Sequence, residues 1–319
     1  RVKHVTGVQT CALPISNGIA PRYSDIDTYS MAAACVDEAL RNAVCVGVDL
    51  DMIAGLDNFC WPDSVESAKT PDGRYKLAQL VRANQAIDDV CRAYRLPCIS
   101  GKDSMKNDVT MYGEKISVPP TILFSLIGNH ADVRKAISSD FKSAGDHIYL
   151  LGETHQELGA SELAFMFRDE CSGGIGGEIP RINPERNLAM YRALTSAMSE
   201  GLVVSAHDCS DGGLAVALAE CCFGADSGAS VDIAGLESDH SHLDEWGALF
   251  GESMGRIIVS VSPGDSEGFS KAMGGNSCTL IGTVGEGDDI TVRSGETEVL
   301  KASMNKLRES WQGALGGGA

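Results

Sequence analysis

The residues with the clearest chemical pattern lie at AHDCSDGGLAVALAE, residues 206–220, where an apolar segment ends in a polar turn that leads into a helix. Asp208 and Asp211 offer the hard oxygen atoms that Mg²⁺ prefers, and the two glycines that follow let backbone N–H groups approach an anion. The pattern predicts a metal and phosphate site at the end of a strand. The alternative is that Asp211 or Ser210 only caps the helix.

A second candidate is the segment VDEALRN, residues 36–42. Glu38 and Asn42 are four positions apart, so a helix places them on one face. A carboxylate and an amide oxygen stacked in this way can share a divalent ion with nucleotide phosphates. The alternative is two polar side chains on a solvated helix face.

A third candidate is SGKDSMKND, residues 100–108, which follows a short apolar segment. Its backbone N–H groups, together with Lys102 and Ser104, can hold a phosphate or a hydroxyl group. The alternative is a polar hairpin turn.

The segment LFGESMGRIIVSV, residues 249–261, carries polar side chains between a predicted helix and a predicted strand. Glu252 and Arg256 have opposite charges and lie four positions apart. We predict that they form a structural ion pair.

Alternating helices and strands are predicted around the candidates in the first half of the chain. Apolar residues at three- and four-residue steps predict a helix from Asp25, with Asp25 and Thr28 as possible caps, and a second helix around 77–94. This alternation favours an α/β or α+β layer. Strands are predicted at 44–50, 96–100 and 121–128, the last fully buried, and an irregular loop at 56–63.

A second region begins near Gly145, where a polar stretch precedes an apolar strand. The Gly-rich segment at 171–180 lacks the flanking strand and helix of a phosphate-binding loop, so we interpret it as a flexible connector. A last amphipathic helix is predicted from Glu298, with a tail at 316–319. The other helices are predicted at 160–168, 184–200, 211–223 and 264–273, and the strands at 202–206, 230–234, 256–261 and 279–285.

Composition excludes several classes of protein. The chain has 319 residues, 43% of them apolar and 22% charged, which is ordinary for a globular protein of roughly two domains. The 26 Lys and Arg face 44 Asp and Glu, and the formal net charge of −18 opposes binding to nucleic acid and to anionic membranes. No apolar run approaches the roughly 20 residues of a membrane span. The 11 cysteines are scattered without a CxxC pair, which favours a reducing compartment and thiols packed in the core.

The first sixteen residues differ in kind from the rest. Residues 5–16, VTGVQTCALPIS, resemble the conceptual translation of a sequencing adapter, and they lack the charged segment and apolar core of a secretory signal. We therefore predict that residues 1–16 are a non-native leader and that the natural protein extends upstream.

Taken together and in their order, these segments resemble one family, the C-terminal half of phosphoribosylformylglycinamidine synthase. The likeness extends over about residues 17–256. The segments that carry it are NGIAPRYSDIDTY, VDEALRN, GLDNFCWPD, LVRANQA, SGKDSMKND, ELGASEL, HDCSDGGLAVALAE and FGESMGR.

For the fold, the resemblance implies a mixed α/β (α+β) architecture like that of aminoimidazole ribonucleotide synthetase, with an N-terminal sheet domain and a larger C-terminal α/β domain. The N-terminal domain is predicted at 17–138 and is incomplete at its start, the C-terminal domain at 139–294, and a C-terminal helix and tail at 295–319. The family has two such halves. We therefore expect exposed apolar surface on the first domain, where its sheet packs against the missing half.

For function, the resemblance implies the ATP-dependent ligase of purine biosynthesis that converts formylglycinamide ribonucleotide to the amidine. ATP phosphorylates the amide oxygen, ammonia adds to the carbon, and phosphate leaves. The implied cofactors are ATP and Mg²⁺. The implied partners are the substrate, ATP or ADP, the missing N-terminal half and a glutaminase domain or subunit. The implied location is cytoplasmic, and no catalytic residue is expected in this half, because the catalytic His of the family lies upstream.

For the site, the resemblance assigns Glu38, Asn42 and Asp208 as Mg²⁺ ligands at an auxiliary nucleotide site, and Ser210 as a nucleotide contact. The upstream Asp that completes this metal site in the family is missing. We therefore expect weaker Mg²⁺ binding here than in an intact chain.

The resemblance also assigns Gly101 and Ser104 as contacts of nucleotide or substrate. Lys102 stands where smaller members of the family have an asparagine that binds the metal, and Gly55 stands where they have an aspartate that contacts the nucleotide. Metal binding at this turn therefore departs from the family pattern.

Two alternatives stay open. In the first, this half is a noncatalytic nucleotide-binding scaffold that supports the catalytic half by packing, and the direction in which Ser104 faces separates the two readings. In the second, the chain is another ATP-dependent member of the superfamily, such as the selenophosphate or thiamine phosphate enzymes. The segments LDNFCWPD and GKDSM disfavour the second alternative.

Overall fold

The computed structural model describes residues 11–170, 172–224, 227–236 and 243–314. The chain divides into two compact units: unit 1 contains residues up to 44, 48–134 and 158–188, and unit 2 contains 45–47, 135–157 and the residues from 189 onward. The first ten residues of the predicted leader and the predicted tail at 316–319 lie outside the described residues. In the described ranges, each helix is too short or too polar to span a lipid bilayer.

Unit 1 is built on a four-stranded sheet. Its elements are β1 (Ile15–Ile19), α1 (Thr28–Cys45), β2 (Asp49–Cys60), α2 (Gly73–Tyr94), β3 (Cys98–Ser104), β4 (Asp108–Met111), β5 (Glu114–Ser117), β6 (Thr121–Asn129) and α3 (Glu162–Met166). The strand order is β1-β6-β2-β3, with β3 parallel to β2 and the other pairs antiparallel. Because parallel neighbours need a crossover connection, α2 links β2 to β3. The strands β4 and β5 form a separate hairpin.

One face of this sheet is covered and the other is exposed. Along β6, Ile122 and Phe124 are fully buried, and the thiol of Cys35 on α1 lies 3.3 Å from the carbonyl oxygen of Ile122. The opposite face carries the exposed apolar side chains of Ile15 and Leu123. The side chains of the strand predicted as fully buried therefore alternate between a buried and an exposed face, and the exposed face carries apolar side chains. Two residues of the predicted leader, at 15 and 16, belong to β1.

Two predictions for the course of the chain in unit 1 are wrong. The strand predicted at 44–50 begins only at Asp49, because α1 continues to Cys45. The loop predicted at 56–63 is extended through Cys60. Here β2 pairs with β3 on one side and with β6 on the other. Hydrogen bonds to both neighbouring strands satisfy the backbone groups of this segment and keep it extended, although its sequence is irregular.

The N-terminus of α1 also differs from the prediction. Asp27 accepts hydrogen bonds from the backbone N–H and the hydroxyl of Ser30, at 3.1 and 2.9 Å. Thr28 instead donates its hydroxyl proton to the carbonyl of Gln79, at 2.8 Å, and Asp25 lies at the end of a 3₁₀ turn. Asp27 is therefore the residue that caps α1.

Unit 2 is built on a seven-stranded sheet. Its elements are β7 (His147–Leu151), most of α4 (Pro184–Ser199), β8 (Ser205–Asp208), α5 (Gly213–Phe223), β9 (Gly228–Asp232), α6 (Glu245–Phe250), β10 (Ile257–Val261), α7 (Ser266–Met273), β11 (Cys278–Gly285), β12 (Asp289–Ser294), β13 (Thr297–Ser303) and α8 (Met304–Gly313). The strand order is β13-β12-β9-β11-β7-β10-β8. The pair β9 and β12 is parallel, and the other neighbours are antiparallel.

The core of unit 2 lies between this sheet and α5. Leu214 and Leu218 of α5 are fully buried in the same apolar cluster as Ile258 of β10. Cys221 and Cys222 are buried in it as well, which confirms the prediction that these thiols act as core residues. The continuous apolar face of α5 thus fixes its position against the sheet.

The C-terminal helix begins later than predicted. Residues from Glu298 form the strand β13, which pairs antiparallel with β12, and α8 begins only at Met304. Gly295 joins the two strands with a left-handed φ of 61°, a backbone conformation that glycine adopts without strain. The sequence pattern did not predict this hairpin, because apolar residues occur at every second position over only a few residues there.

Candidate functional site

Glu38 and Asn42 lie on one face of α1 in unit 1, as the sequence predicts. Glu38 is half-buried, and its Oε2 accepts a hydrogen bond from the backbone N–H of Ile19 on β1, at 2.9 Å. At this point β1 lies so close to α1 that a Cβ added at Gly18 would clash with the helix. The neighbouring strand therefore orients the Glu38 carboxylate, whereas Asn42 is exposed.

Directly beside these two residues, α1 buries an ion pair. The side chains of Asp37 and Arg41 are 0% exposed, and Arg41 Nη1 donates to Asp37 Oδ2 at 2.5 Å. The hydroxyl of Tyr94 on α2 donates to Asp37 Oδ1, as does the Nδ2 amide group of Asn187 at 3.0 Å. Because these partners come from α2 and from the first turn of α4, the network fixes the rotation of α1 about its axis. The direction in which the neighbouring polar pair faces is fixed with it.

Gly101 and Ser104 both lie on β3, at the edge of the sheet. Their spacing of three places them on opposite faces of the strand, because side chains alternate along it. Ser104 shares the exposed face with Lys102, whose Nζ donates to Ser104 Oγ at 2.6 Å. The hairpin-turn alternative is wrong, since β3 stays in register with β2 up to the pair formed by Ser104 and Cys60.

Gly101 also has a structural reason to be glycine. It pairs with Asp57 of β2, and a Cβ at this position would clash with the Asp57 carboxylate and carbonyl. The absence of a side chain at Gly101 thus leaves room for a carboxylate on the inner face of the sheet edge.

Asp208 and Ser210 are brought together in unit 2. Asp208 is the last residue of β8 and is 6% exposed, and Ser210 Oγ donates to its Oδ2 at 2.6 Å. The N-cap of α5 is Gly212, with a left-handed φ of 77°. The alternative that Asp211 or Ser210 is the capping residue is therefore wrong.

Two buried charged residues support this turn. Glu252 Oε1 accepts a hydrogen bond from the backbone N–H of Gly212 at 2.9 Å. The guanidinium of Arg256, which is 0% exposed, donates to the carbonyl oxygens of Ser253, at 3.3 Å, and of Gly251. The structure thus gives Glu252 a role at the start of α5. No spacing in the sequence signals that role, since the two partners are forty residues apart.

A histidine adds to the charge of the same turn. His207 Nε2 lies 2.7 Å from Glu220 Oε2 on α5. Burial disfavours the protonated ring, but the hydrogen bond with Glu220 and the nearby charge of Asp208 outweigh it, so that the pKa of His207 is raised. Asp208 is therefore flanked by a positive charge over a wider pH range than a histidine ordinarily provides.

A cleft of about 630 Å³ lies elsewhere in unit 1. It is bounded by the first turns of α1, the second half of α2 and residues 177–185, and Asp89 in its wall accepts the hydroxyl proton of Tyr29 at 2.9 Å. The segment interpreted as a connector thus contributes Gly177 and Glu178 to a cavity wall. Glu38 and Asn42 lie further along α1 and outside this lining.

The oxygen atoms at the two candidate places suit a metal ion only when a bound molecule supplies the remaining ligands. No cluster of three or more His, Cys, Asp or Glu side chains arranged to hold a metal occurs in the described part of the chain. Glu38 with Asn42, and Asp208 with its neighbours, supply oxygen donors of the type that Mg²⁺ prefers. Mg²⁺ takes six oxygen ligands and commonly draws several from water and substrate phosphates, so each set fits a Mg²⁺–nucleotide complex better than the bare ion.

The two sheets and their helices define a mixed α/β fold of the AIR synthase type. Residues 143–295, which hold β7 to β12, match the family described as AIR synthase related protein, C-terminal domain. The predicted fold class is thereby confirmed.

Solved structures share this fold over nearly the whole chain. T. maritima PurL complexed with FGAR has a TM-score of 0.75 and 18% sequence identity, covering 94% of this chain and 46% of that chain. Phosphoribosylformylglycinamidine synthase II from Thermotoga maritima matches with a TM-score of 0.75 and 17% identity, over 95% and 45% of the two chains. E. coli HypE has a TM-score of 0.65 and 14% identity, over 95% and 88%. The chain thus spans less than half the length of the T. maritima proteins and most of the length of HypE.

Proposed function

We propose that the chain is one half of the ATP-dependent ligase that converts formylglycinamide ribonucleotide to formylglycinamidine ribonucleotide in purine biosynthesis, with ammonia from glutamine. The observation that carries the proposal is the similarity of 94% of this chain to 46% of T. maritima PurL, a fold match that has the size of a half. The AIR synthase-related domain at 143–295 and the segments quoted above support the same function.

Within this half we propose a site for ATP or ADP with Mg²⁺. Solved forms of T. maritima PurL are complexed with ATP and with ADP, which supports nucleotide binding by this fold. Glu38 and Asn42 in unit 1 and, separately, Asp208 in unit 2 are proposed metal ligands, and Ser210 is a proposed nucleotide contact. When bound, Mg²⁺ neutralises phosphate charge and so favours transfer of the terminal phosphoryl group.

In this proposal the residues of this chain bind the metal ion and the nucleotide and hold them in one orientation. The net charge of −18 repels a triphosphate, so the carboxylates of Glu38 and Asp208 attract it only through the metal. The Ile19 N–H holds Glu38 in one orientation, and the Ser210 hydroxyl does the same for Asp208, which lowers the entropic cost of ordering them on binding.

Gly101 and Ser104 are proposed contacts for nucleotide or substrate. Ser104 lies on the exposed sheet face with the apolar surface described above, where the missing half is proposed to pack. The remaining proposed partners are a glutaminase domain or subunit and the ribonucleotide substrate, and the proposed location is the cytoplasm. The leader at 1–16 stays a prediction.

Calorimetry and an activity assay test this function. Purified chain titrated with ATP in the presence of Mg²⁺ is expected to bind it, and to form no amidine from formylglycinamide ribonucleotide, ATP and ammonium. Addition of a separately produced N-terminal half from an intact family member is expected to restore amidine formation. Turnover by the chain alone would show that the missing half is unnecessary, and absence of nucleotide binding would remove the proposed site.

A second candidate is a separate ATP-dependent member of the same superfamily that works at this length. The observation that favours it is the coverage of 88% of E. coli HypE. In that case the chain alone hydrolyses or transfers the terminal phosphate of ATP without formylglycinamide ribonucleotide. A phosphate-release assay with and without the ribonucleotide distinguishes the two candidates.

A further inference from the structure

Two cysteines approach each other at the end of α2. The Sγ atoms of Cys91, in the last turn of the helix, and Cys98, the first residue of β3, are 3.8 Å apart. Cys98 is exposed, whereas Cys91 is 8% exposed. One thiol of the pair can therefore meet a dissolved reagent, and the other can be reached only from its neighbour.

The chain reversal between the two cysteines is well defined. Arg95 ends α2 with a left-handed φ of 55°, and the backbone N–H of Leu96 donates to the Cys91 carbonyl at 2.8 Å. Disulfide formation requires the two sulfur atoms to approach to about 2.05 Å. Starting from 3.8 Å, the two sulfur atoms must therefore approach each other by about 1.8 Å.

We propose that Cys91 and Cys98 form a redox-active dithiol, which a small disulfide of the glutathione type oxidises to an intramolecular disulfide. The chemistry takes two steps. The Cys98 thiol loses its proton to water, and the thiolate attacks one sulfur of the glutathione disulfide, so that one glutathione thiolate leaves. The Cys91 thiol then loses its proton to water, its thiolate attacks Cys98 Sγ, the bond between Cys98 and glutathione breaks, and the second glutathione thiolate leaves. Both glutathione thiolates take up a proton from water. Two protein thiols are oxidised, and one glutathione disulfide is reduced to two thiols.

The surroundings slow both thiolate attacks, and the short distance between the two sulfur atoms favours the second. Burial raises the pKa of both thiols, and the carboxylate of Asp57 on β2 adds to this effect at both. Only a small fraction of Cys98 is therefore the reactive thiolate at neutral pH. Once the mixed disulfide has formed, Cys91 is already at short range, so that ring closure competes well with a second glutathione molecule.

The disulfide would join the C-terminal turn of α2 to the strand that carries Gly101 and Ser104. It would thus fix the edge strand of the sheet to the helix that precedes it. The proposal does not depend on the proposed enzymatic function, because it concerns thiols that no step of that function uses.

Mass spectrometry of the full chain tests the proposal. The chain is incubated with glutathione disulfide without denaturant, blocked with iodoacetamide, and digested. We expect a cross-linked peptide containing Cys91 and Cys98 and no glutathione on either residue. The exposed Cys11 shows in the same digest how far glutathione disulfide has reacted with an accessible thiol.

Variants separate the two steps. Cys91→Ser should accumulate glutathione on Cys98, and Cys60→Ser, at a half-buried cysteine of β2, should leave the cross-link unchanged. If Cys98 of the unaltered chain keeps its glutathione, the resolving role of Cys91 is wrong. If Cys98 stays unmodified after Cys11 has reacted completely, the dithiol is not redox-active and the proposal is overturned.

Discussion

The helix α1 of unit 1 and the turn between β8 and α5 in unit 2 both pair candidate binding residues with buried charge, but they do so differently. On α1 the buried Asp37 is satisfied by side chains, those of Arg41, Tyr94 and Asn187. At the turn the buried Glu252 accepts a hydrogen bond from a backbone N–H, and the buried Arg256 donates to backbone carbonyls as well as to the hydroxyl of Thr154 at 3.5 Å. For a regular helix, the surrounding side chains need to fix only the rotation about the helix axis. An irregular turn needs hydrogen-bond partners for its own carbonyl and N–H groups.

The largest expected effect is at Asp37. Asp37→Ala removes the carboxylate to which Arg41 donates and leaves the Arg41 charge buried. We expect this change to lower the free energy of unfolding by about 3 to 5 kcal/mol. Urea unfolding measures the loss. As a control, the double variant Asp37→Leu/Arg41→Met removes both charges and should recover most of the stability. A loss below about 1 kcal/mol in the single variant would mean that the ion pair does not hold α1.

A substitution of Arg256 tests the buried charge in unit 2 that donates hydrogen bonds to backbone carbonyls. Arg256→Met leaves the buried carbonyl oxygens of Ser253 and Gly251 without this donor, and we expect a loss of roughly 2 to 3 kcal/mol in the same measurement. The matched control is Arg293→Met, at an exposed arginine of β12, which should change little. Equal effects of the two variants would contradict the comparison.

Gly213 tests how tightly the turn is packed. Its φ is 66°, and a Cβ there would collide with the carbonyl oxygen of Gly251. Gly201 has a φ of 79° with nothing near its Cβ position, so Gly201→Ala should cost only the left-handed strain of about 1 to 2 kcal/mol. Gly213→Ala should cost clearly more in thermal or urea unfolding. Similar losses in the two variants would show that the turn yields to a side chain.

The smallest expected effect is the cap of α1. Asp27→Ala should cost about 1 kcal/mol. Burial raises the pKa of Asp27, but hydrogen bonds from Arg82 and Ser30 outweigh it, so the pKa lies below its usual value. The stabilisation from Asp27 is therefore present above about pH 4 and lost as the pH falls through the lowered pKa. Unfolding midpoints of the unaltered chain should drop more steeply on acidification than those of Asp27→Ala, and parallel pH profiles would contradict the role of this carboxylate.

The sequence predicted the placement of the candidate residues on α1 better than the surroundings of those in unit 2, for a physical reason. Helical spacing alone puts Glu38 and Asn42 on one face, and α1 confirms it. The support of the β8–α5 turn by Glu252 and Arg256 depends on contacts between residues distant in the chain, which spacing does not encode. Likewise, residues 56–60 are a strand because two neighbouring strands pair with them, although their own composition is that of a loop.

Calorimetric titration with Mg²⁺ and ATP tests the proposed nucleotide site most directly. The unaltered chain should bind the nucleotide, and Glu38→Gln and Asp208→Asn should each weaken binding about tenfold or more, in line with the loss of one charged metal ligand. Glu200→Gln, at an exposed carboxylate just after α4, serves as the control and should bind as the unaltered chain does. Unchanged affinity in both Glu38→Gln and Asp208→Asn, with their folding intact by thermal unfolding, would contradict the assignment of these carboxylates to Mg²⁺ and nucleotide.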